Sequence, residues 1–482
     1  MDPARAPILL AGRHDLTLAT AEAVGWRGAA VTIAPAALAR MAACRAAFER
    51  LLADPDVVIY GVTSGYGQHA SRRLAPEERL AHARRSPAAM QAAWGAAFPE
   101  RVARLIVFAR LANFLDGHAA VRPELARAVA AMLAGPLPAV PREGAVSAGE
   151  IPAPSWLFAP LLAGFAPREK EALALVNGAP VAAALVADAA LAARGRVAAA
   201  EAVLALAAEA YRMPLGHVEP AVAALWGDPH ELAAATALQA LIAGGVAERR
   251  PYQAPVSFRT LPKMLGRLRR EAARAAEVAA TSLAQVSDNP VFLPPDAAHP
   301  DGRILSTGGY HNAAAWPALQ ALAMSYADLC TVCDRMIARL LDGATSGLPD
   351  QLGGGDGEAG YLGTLGFAVV GWGEAARRAA QAVFLPGSES GGFVQNDLAV
   401  PTSLAWEGQE AAGLALDRAL GAVAVVAAQA LSVTGRPAPP ALRDHLAAWQ
   451  AAARPPACPT TPAARAEAVT RRLRDAIYPD GG

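Results

Sequence analysis

The chain predicts a mainly α fold, with long helices bundled at its centre and a smaller mixed α/β lobe at its N-terminal end. Three observations carry this. Hydrophobic residues make up 54% of the 482 but aromatics only 6%, so small apolar residues dominate, which favours closely packed helices over aromatic-rich sheets. From about residue 168 to 285, apolar positions recur at i, i+3, i+4 and i+7. The remaining long helical runs are separated by a few glycine-rich or polar interruptions. These divide the chain into an N-terminal lobe (1–165), a central helical bundle (166–435) and a helical tail (436–482).

In the lobe, "LTLATAEAVGW" and "GAAVTIAPAAL" predict short strands, followed by a helix through "ALARMAACRAAFERLLA". The loop "YGVTSGYGQHASRRL" (60–74) is rich in glycine, which allows close backbone approach and unusual dihedrals. "PERVARLIVFARLANFLDG" and "RPELARAVAAMLAG" continue as helices up to the segment "GAVSAGEIPAPSW" (144–156). The bundle opens with one helical run from 169 to 211, placing Asn177 in mid-helix before a glycine. Helices over 228–245 and 260–286 follow. The polar interruptions at 287–312, 348–363 and 385–403 are where a site would be built. The uncharged run at 419–433 is too short and alanine-rich to span a bilayer, and reads as a helix buried on all sides.

Charge excludes several function classes. Lys+Arg and Asp+Glu are balanced at 43 each, which argues against nucleic acid or an anionic membrane as the main partner. The four cysteines are Cys44, Cys330, Cys333 and Cys458. "CTVC" lies inside a helical run, so two core thiols are expected there rather than a metal or redox site. No His/Cys/carboxylate cluster shows ligand spacing, so no metal is expected. Few thiols and no signal-peptide pattern point to a cytoplasmic protein.

Five motifs, in order and spacing, resemble those of the histidine/phenylalanine/tyrosine ammonia-lyase family. "YGVTSGYG" is similar to the inner loop YGxNTGFG, whose tyrosine is the catalytic base; the resemblance assigns that role to Tyr60. "EKEALALVNGAPV" resembles KEGLALLNGTQ, whose asparagine contacts substrate and prosthetic group, here Asn177. "APVSFRTLPKMLG" resembles DPYSLRCQPQVMG, whose arginine holds the substrate carboxylate, here Arg259. "VSDNPVF" matches SDNP, and "STGGYH" stands where SGGNFH belongs, placing Tyr310 at an aromatic site position with a catalytic role. Tyr66 replaces a phenylalanine and adds a hydroxyl to the loop. Gln395 and Asn396, in "VQNDLAV", fall at substrate-contacting positions. The resemblance implies an ammonia-lyase/fumarase-like fold and a homotetramer whose sites are each built from several chains.

The departures from the family pattern are selective. Family members cyclise an internal Ala-Ser-Gly into the electrophile methylidene-imidazolone, the serine losing water to become the methylidene. Here Ser147-Ala148-Gly149 stands in its place, and the segment is one residue shorter. An alanine at the central position has no β-hydroxyl to lose, so the prosthetic group is expected to be absent and no other cofactor is implied. Glu150 replaces the family's aspartate, Val256 a second tyrosine, and Pro87 a position often held by a substrate-selecting histidine or aromatic. His69 and His311 are expected to be structural or solvent-exposed. What remains could still do proton chemistry if neighbours lower the Tyr60 pKa. The expected function is therefore cofactor-free acid/base chemistry (β-elimination, addition, isomerisation or cyclisation) on a carboxylate-bearing small molecule, with specialised metabolism as its setting. A non-catalytic relative that binds a ligand or assembles with an active lyase, and a true ammonia-lyase or aminomutase with an unconventional prosthetic group, are the alternatives.

Overall fold

A computed structural model describes residues 7–353, 362–383, 396–453 and 461–478. Alanine-rich stretches form the long helices, several of which start with proline in the first turn, where its missing N–H costs no hydrogen bond. The helices used below are α1 (Pro35–Leu52), α2 (Pro76–Ala83), α3 (Glu100–Arg110), α4 (Glu171–Val176), α5 (Pro180–Ala210), α6 (Leu261–Ala284), α7 (Ala315–Leu341), α8 (Thr364–Ala379), α9 (Thr402–Val433) and α10 (Pro462–Ile477). The chain is mainly α, as its composition predicts.

Helix α5 is the hub. It packs on α3, α6, α7 and α9, while α9 in turn packs on α7, α8 and α10. Both α9 and the run containing α4 and α5 are long and apolar enough to cross a membrane, yet 83% and 89% of their most hydropathic windows are buried inside the fold. They form the bundle core, in agreement with the all-round apolar surface of 419–433. Cys330 and Cys333 lie buried on α7. Burial pushes the Cys330 thiol up to about 12 and the Cys333 thiol well above its ordinary value, so neither is a ready thiolate.

Strands are few among the described residues. Ile8–Leu10 pairs in parallel with Val31–Ile33, Trp94–Ala97 pairs antiparallel with Pro141–Glu143, and Val291–Leu293 pairs antiparallel with Arg303–Leu305. Two sequence expectations are corrected here. The stretch 16–26 is no strand: Leu18–Ala21 is helical and continues as a wider turn over Glu22–Trp26. Thr17 and Thr20 cap each other's backbone N–H groups (3.2 and 2.9 Å), which supplies the helix start. The helical run from 169 to 211 is broken at Asn177–Ala179. Asn177 adopts φ −95°, ψ 133° and Gly178 φ +144°, so Asn177 sits at a helix end rather than in mid-helix.

Two buried carboxylates join the bundle to its surroundings. Asp188 on α5 accepts hydrogen bonds from Trp26 (3.0 Å), Arg101 (2.8 Å) and Trp406 (3.2 Å), tying the lobe and α9 to α5. Asp417 on α9 takes the fully buried Arg196 of α5 in a forked contact (3.0 and 3.2 Å). Arg196 also donates to the Tyr478 hydroxyl at 3.1 Å. Removing the guanidinium would leave Asp417 buried with Arg474, at 3.3 Å, as its one cationic partner among the described residues. Arg196→Met is therefore expected to cost about 3 kcal/mol, read as a lower denaturant midpoint; an unchanged midpoint would show the pair to be energetically idle.

Candidate active site

A cavity of about 640 Å³ opens where the loop 60–74, α2, the turn after Ser147, α4 and the loops around 289 and 308 converge. Its walls include Tyr60, Tyr66, Ala148, Asn177, Tyr310 and Asn396. Residues chosen from motifs scattered over more than 300 positions thus meet in one space.

Loop 59–65 is fixed by its own backbone. The N–H groups of Val62, Thr63 and Ser64 all donate to the Ile59 carbonyl, and the Thr63 hydroxyl accepts the Ile59 N–H at 2.8 Å. This presents Tyr60 to the cavity, where its phenolic oxygen accepts the Gly67 N–H at 3.0 Å. The condition of a lowered Tyr60 pKa is not met. Burial raises it, Gly67 lowers it, and the neighbouring Tyr310 and Tyr66 phenols raise it further. The phenol is consequently protonated at neutral pH and has a proton to donate.

The floor is built on buried charge. Lys170, wholly buried with φ +74°, forms an ion pair with Asp288. Burial lowers the Lys170 pKa, Asp288 opposes that, and Arg110 and Arg45 reinforce it. Arg110, on α3, donates from Nη1 to the carbonyls of Ala174 (3.1 Å) and Asn177 (2.8 Å) at the end of α4. Burial holds its pKa down to about 10, against the pull of Asp288 and Glu150. A Cβ at Gly178 would come within 2.9 Å of the same guanidinium. Only glycine permits that approach. Asn177, held in this way, donates from Nδ2 to the Asn289 carbonyl at 3.1 Å. Its Oδ1 lies 2.6 Å from where a Cβ on Gly149 would stand. Asn289 in turn accepts from Ser306 (3.0 Å) and the Thr307 N–H (2.9 Å).

In the degenerate segment, Ser147 does not line the cavity; its hydroxyl accepts the Ile151 N–H at 3.1 Å. Ala148 and Gly149 do line it, Gly149 at φ +69°. The Glu150 carboxylate faces the opposite way and accepts from Val181 (2.7 Å) and Ala182 (3.0 Å) at the start of α5, a helix-capping role. Burial pushes its pKa up to about 8, while those two amides and Arg110 pull it down.

Arg259 stands apart. It belongs to the turn Val256–Arg259, donates to Gln253 at 3.0 Å, and is absent from the cavity wall of the single chain. Val256, on the same turn, is exposed. Gln395 lies outside the described residues. His69 is exposed but does border the cavity, and Pro87 forms part of its wall. Sequence analysis did not single out Lys170, Asp288, Arg110, Asn289 or His82. The first, second and fourth sit inside motifs already recognised, so a signal existed; nothing in "FARLANFL" or "ERLAHARR" marks the other two.

The comparisons with known proteins agree with the mainly helical fold. The family model described as "Aromatic amino acid lyase" matches residues 16–165 and 150–454. The chain belongs to the aromatic amino acid lyase family. Histidine ammonia-lyase of Streptomyces griseus is 33% identical over 71% of this lyase-family chain and 72% of its own length. That of Streptomyces coelicolor is 32% identical over the same shares. Among solved structures, tyrosine aminomutase of Streptomyces globisporus superposes with a TM-score of 0.84 at 22% identity, covering 98% of this chain and 99% of its own. Ergothionase of Treponema denticola gives 0.87 at 18%, with the same coverage. At these identities the superpositions establish a shared fold. Members of this family normally carry methylidene-imidazolone made from their own residues.

The Glu150 contact yields a pH prediction. Its pKa is raised from 4.5 to about 8 on folding, so the folded state binds the extra proton and stability falls as pH rises through that interval. Glu150→Gln, which cannot titrate, is expected to flatten this part of the stability–pH curve. Melting temperatures of both proteins from pH 5 to 8.5 would show it; parallel curves would refute it.

Proposed function

We propose that this chain is an acid/base enzyme on the ammonia-lyase scaffold that acts on a carboxylate-bearing small molecule without the methylidene-imidazolone electrophile. One observation carries the proposal: Ala148 places a methyl group in the wall of an open cavity whose proton-bearing and polar groups are otherwise in place. Ser147, the nearest hydroxyl in the segment, is turned away to the Ile151 N–H. The residues present therefore do not fit the family's prosthetic group.

Without that electrophile, amine elimination from an unactivated amino acid would lack most of its transition-state stabilisation. A substrate with a better leaving group, a more acidic proton or its own electrophile suits the site: β-elimination, addition, isomerisation and cyclisation all fit. Tyr60, protonated at neutral pH, is placed to give a proton, and to take one in the reverse sense. Tyr310 supplies a second phenol, and Asn177 a rigid hydrogen-bonding group beside the reacting atoms. Arg259 would hold the carboxylate in a forked contact from a neighbouring copy in a homotetramer. Its own turn supports that placement: Tyr252 and Val256 beside Arg259 expose 92% and 61% of their surface.

The intact mass of the purified chain tests the first premise. It is expected to equal the sequence mass; a mass lower by two waters would overturn the proposal and return amino acids to the head of the substrate search. Once a turned-over carboxylate is found, Tyr60→Phe is expected to lower kcat by about 10²–10⁴-fold without moving the melting temperature. Mixed tetramers of Tyr60→Phe and Arg259→Leu chains are expected to recover activity that neither variant has alone. Failure to recover would overturn the placement of Arg259 in a neighbouring copy's site.

A further inference from the structure

Arg259 sits on a segment with little regular structure of its own. Val256–Arg259 form a single helical turn, too short to be stable without outside contacts. Of the five residues before it, Pro251 and Pro255 have no N–H to give. The segment is instead strapped to the residues that follow α5. At one end, the Arg250 N–H donates to the Arg212 carbonyl at 3.0 Å, and the Arg250 guanidinium lies over the Tyr211 ring, 4.5 Å from its centroid. At the other end, the buried Phe258 ring stacks on Tyr211, with centroids 4.3 Å apart and planes 25° from parallel.

Between these anchors, the middle of the strap is held by a histidine. The Ala254 N–H donates to His217 Nε2 at 3.2 Å. Ala254 is buried, and an amide so placed needs a partner. Only an unprotonated ring nitrogen can accept it. Burial first, then the Arg259 charge, lower the His217 pKa, so the ring is neutral at neutral pH and Nε2 keeps its lone pair. The residue next to Ala254 is Gln253, whose side-chain oxygen accepts from Arg259 Nη1 at 3.0 Å. The path from the imidazole to the guanidinium thus crosses one peptide link. His217 fixes Ala254, and Gln253 beside it fixes Arg259.

We propose that His217 is a positioning residue: by holding Ala254 it sets Gln253, and through Gln253 the direction in which Arg259 presents its guanidinium to a carboxylate. The inference rests on the reading of Arg259 above, as the group that holds the carboxylate from a neighbouring copy, and adds what aims it. The contacts of Arg250 and Phe258 with Tyr211 secure the two ends of the strap; His217 sets its middle. The imidazole is absent from the cavity wall of the single chain, so its effect on binding passes through Arg259.

Calorimetric titration of the native oligomer with 3-phenylpropanoate tests it, together with amide hydrogen exchange in the peptide covering 250–259. His217→Leu is expected to weaken binding by about three- to tenfold and to speed exchange in that peptide. His217→Gln, whose side-chain oxygen can accept the same N–H, is expected to restore most of both. In an Arg259→Leu background the His217→Leu change is expected to cost nothing further, because the two act through one group. Should the leucine variant fail to assemble, His217→Phe keeps the bulk of the ring without its nitrogens and gives the same comparison. A leucine or phenylalanine variant with wild-type affinity or unchanged exchange overturns the proposal. So does a loss that glutamine does not relieve, or a double variant in which the two losses add. The reading of Arg259 fails differently: Arg259→Leu alone would then leave the affinity unchanged. A wild type that does not bind the acid overturns both.

Discussion

Everything at the floor of the cavity depends on the buried ion pair between Lys170 and Asp288. Lys170 holds a left-handed backbone conformation that a side chain ordinarily avoids at a cost of about 1–2 kcal/mol, and its buried ammonium is paired with Asp288. Its position just before α4 sets where that short helix starts; Arg110, from the other side, sets where it ends. Between the two, Asn177 has no freedom to leave the wall. Lys170 and Arg110 lie with Asp288 in one buried cluster, so removal of Asp288 would leave a buried cation uncompensated.

This frame explains how a family site can keep its shape while its chemistry changes. None of the contacts that hold the cavity open uses a hydroxyl at position 148. Backbone amides hold loop 59–65, Arg110 holds the end of α4, and Asn289 holds the strand-like loop around Ser306. An alanine in the segment before α5 is therefore tolerated by the architecture. The geometry of the cavity and the identity of its electrophile are separable properties of this scaffold.

Most of the cavity was legible in the sequence because its residues sit in compact motifs with characteristic neighbours. Tyr60, Asn177, Tyr310 and Asn396 reach one cavity, as did Ala148. The fold class followed from small apolar residues repeating at helical spacing. The errors have physical causes. Alanine-rich periodicity continues across the break at Asn177, although Gly178 and Pro180 were ordinary stop and start signals within it. The alternation of Leu and Thr at 16–20 looks like a strand, but Thr17 and Thr20 spend their hydroxyls on a helix cap. The Lys170–Asp288 pair joins positions 118 residues apart, so no local pattern could announce it. Arg259 carried a clear motif, yet one chain by itself does not bring it to the cavity.

The tie between Arg196 and Tyr478 has a consequence for how the molecule is made. The guanidinium is laid down early, in the middle of α5, but one of its partners follows 282 residues later. Until then, a charge destined for the centre of the bundle has no complete set of neighbours. The lobe can organise as it leaves the ribosome, since its strands and helices close over short spans. The bundle cannot lock in the same way, because its interior is finished by a residue translated long after its first helix. A shortened product that ends before the residue following α10 would lack the Tyr478 hydroxyl as a partner for Arg196.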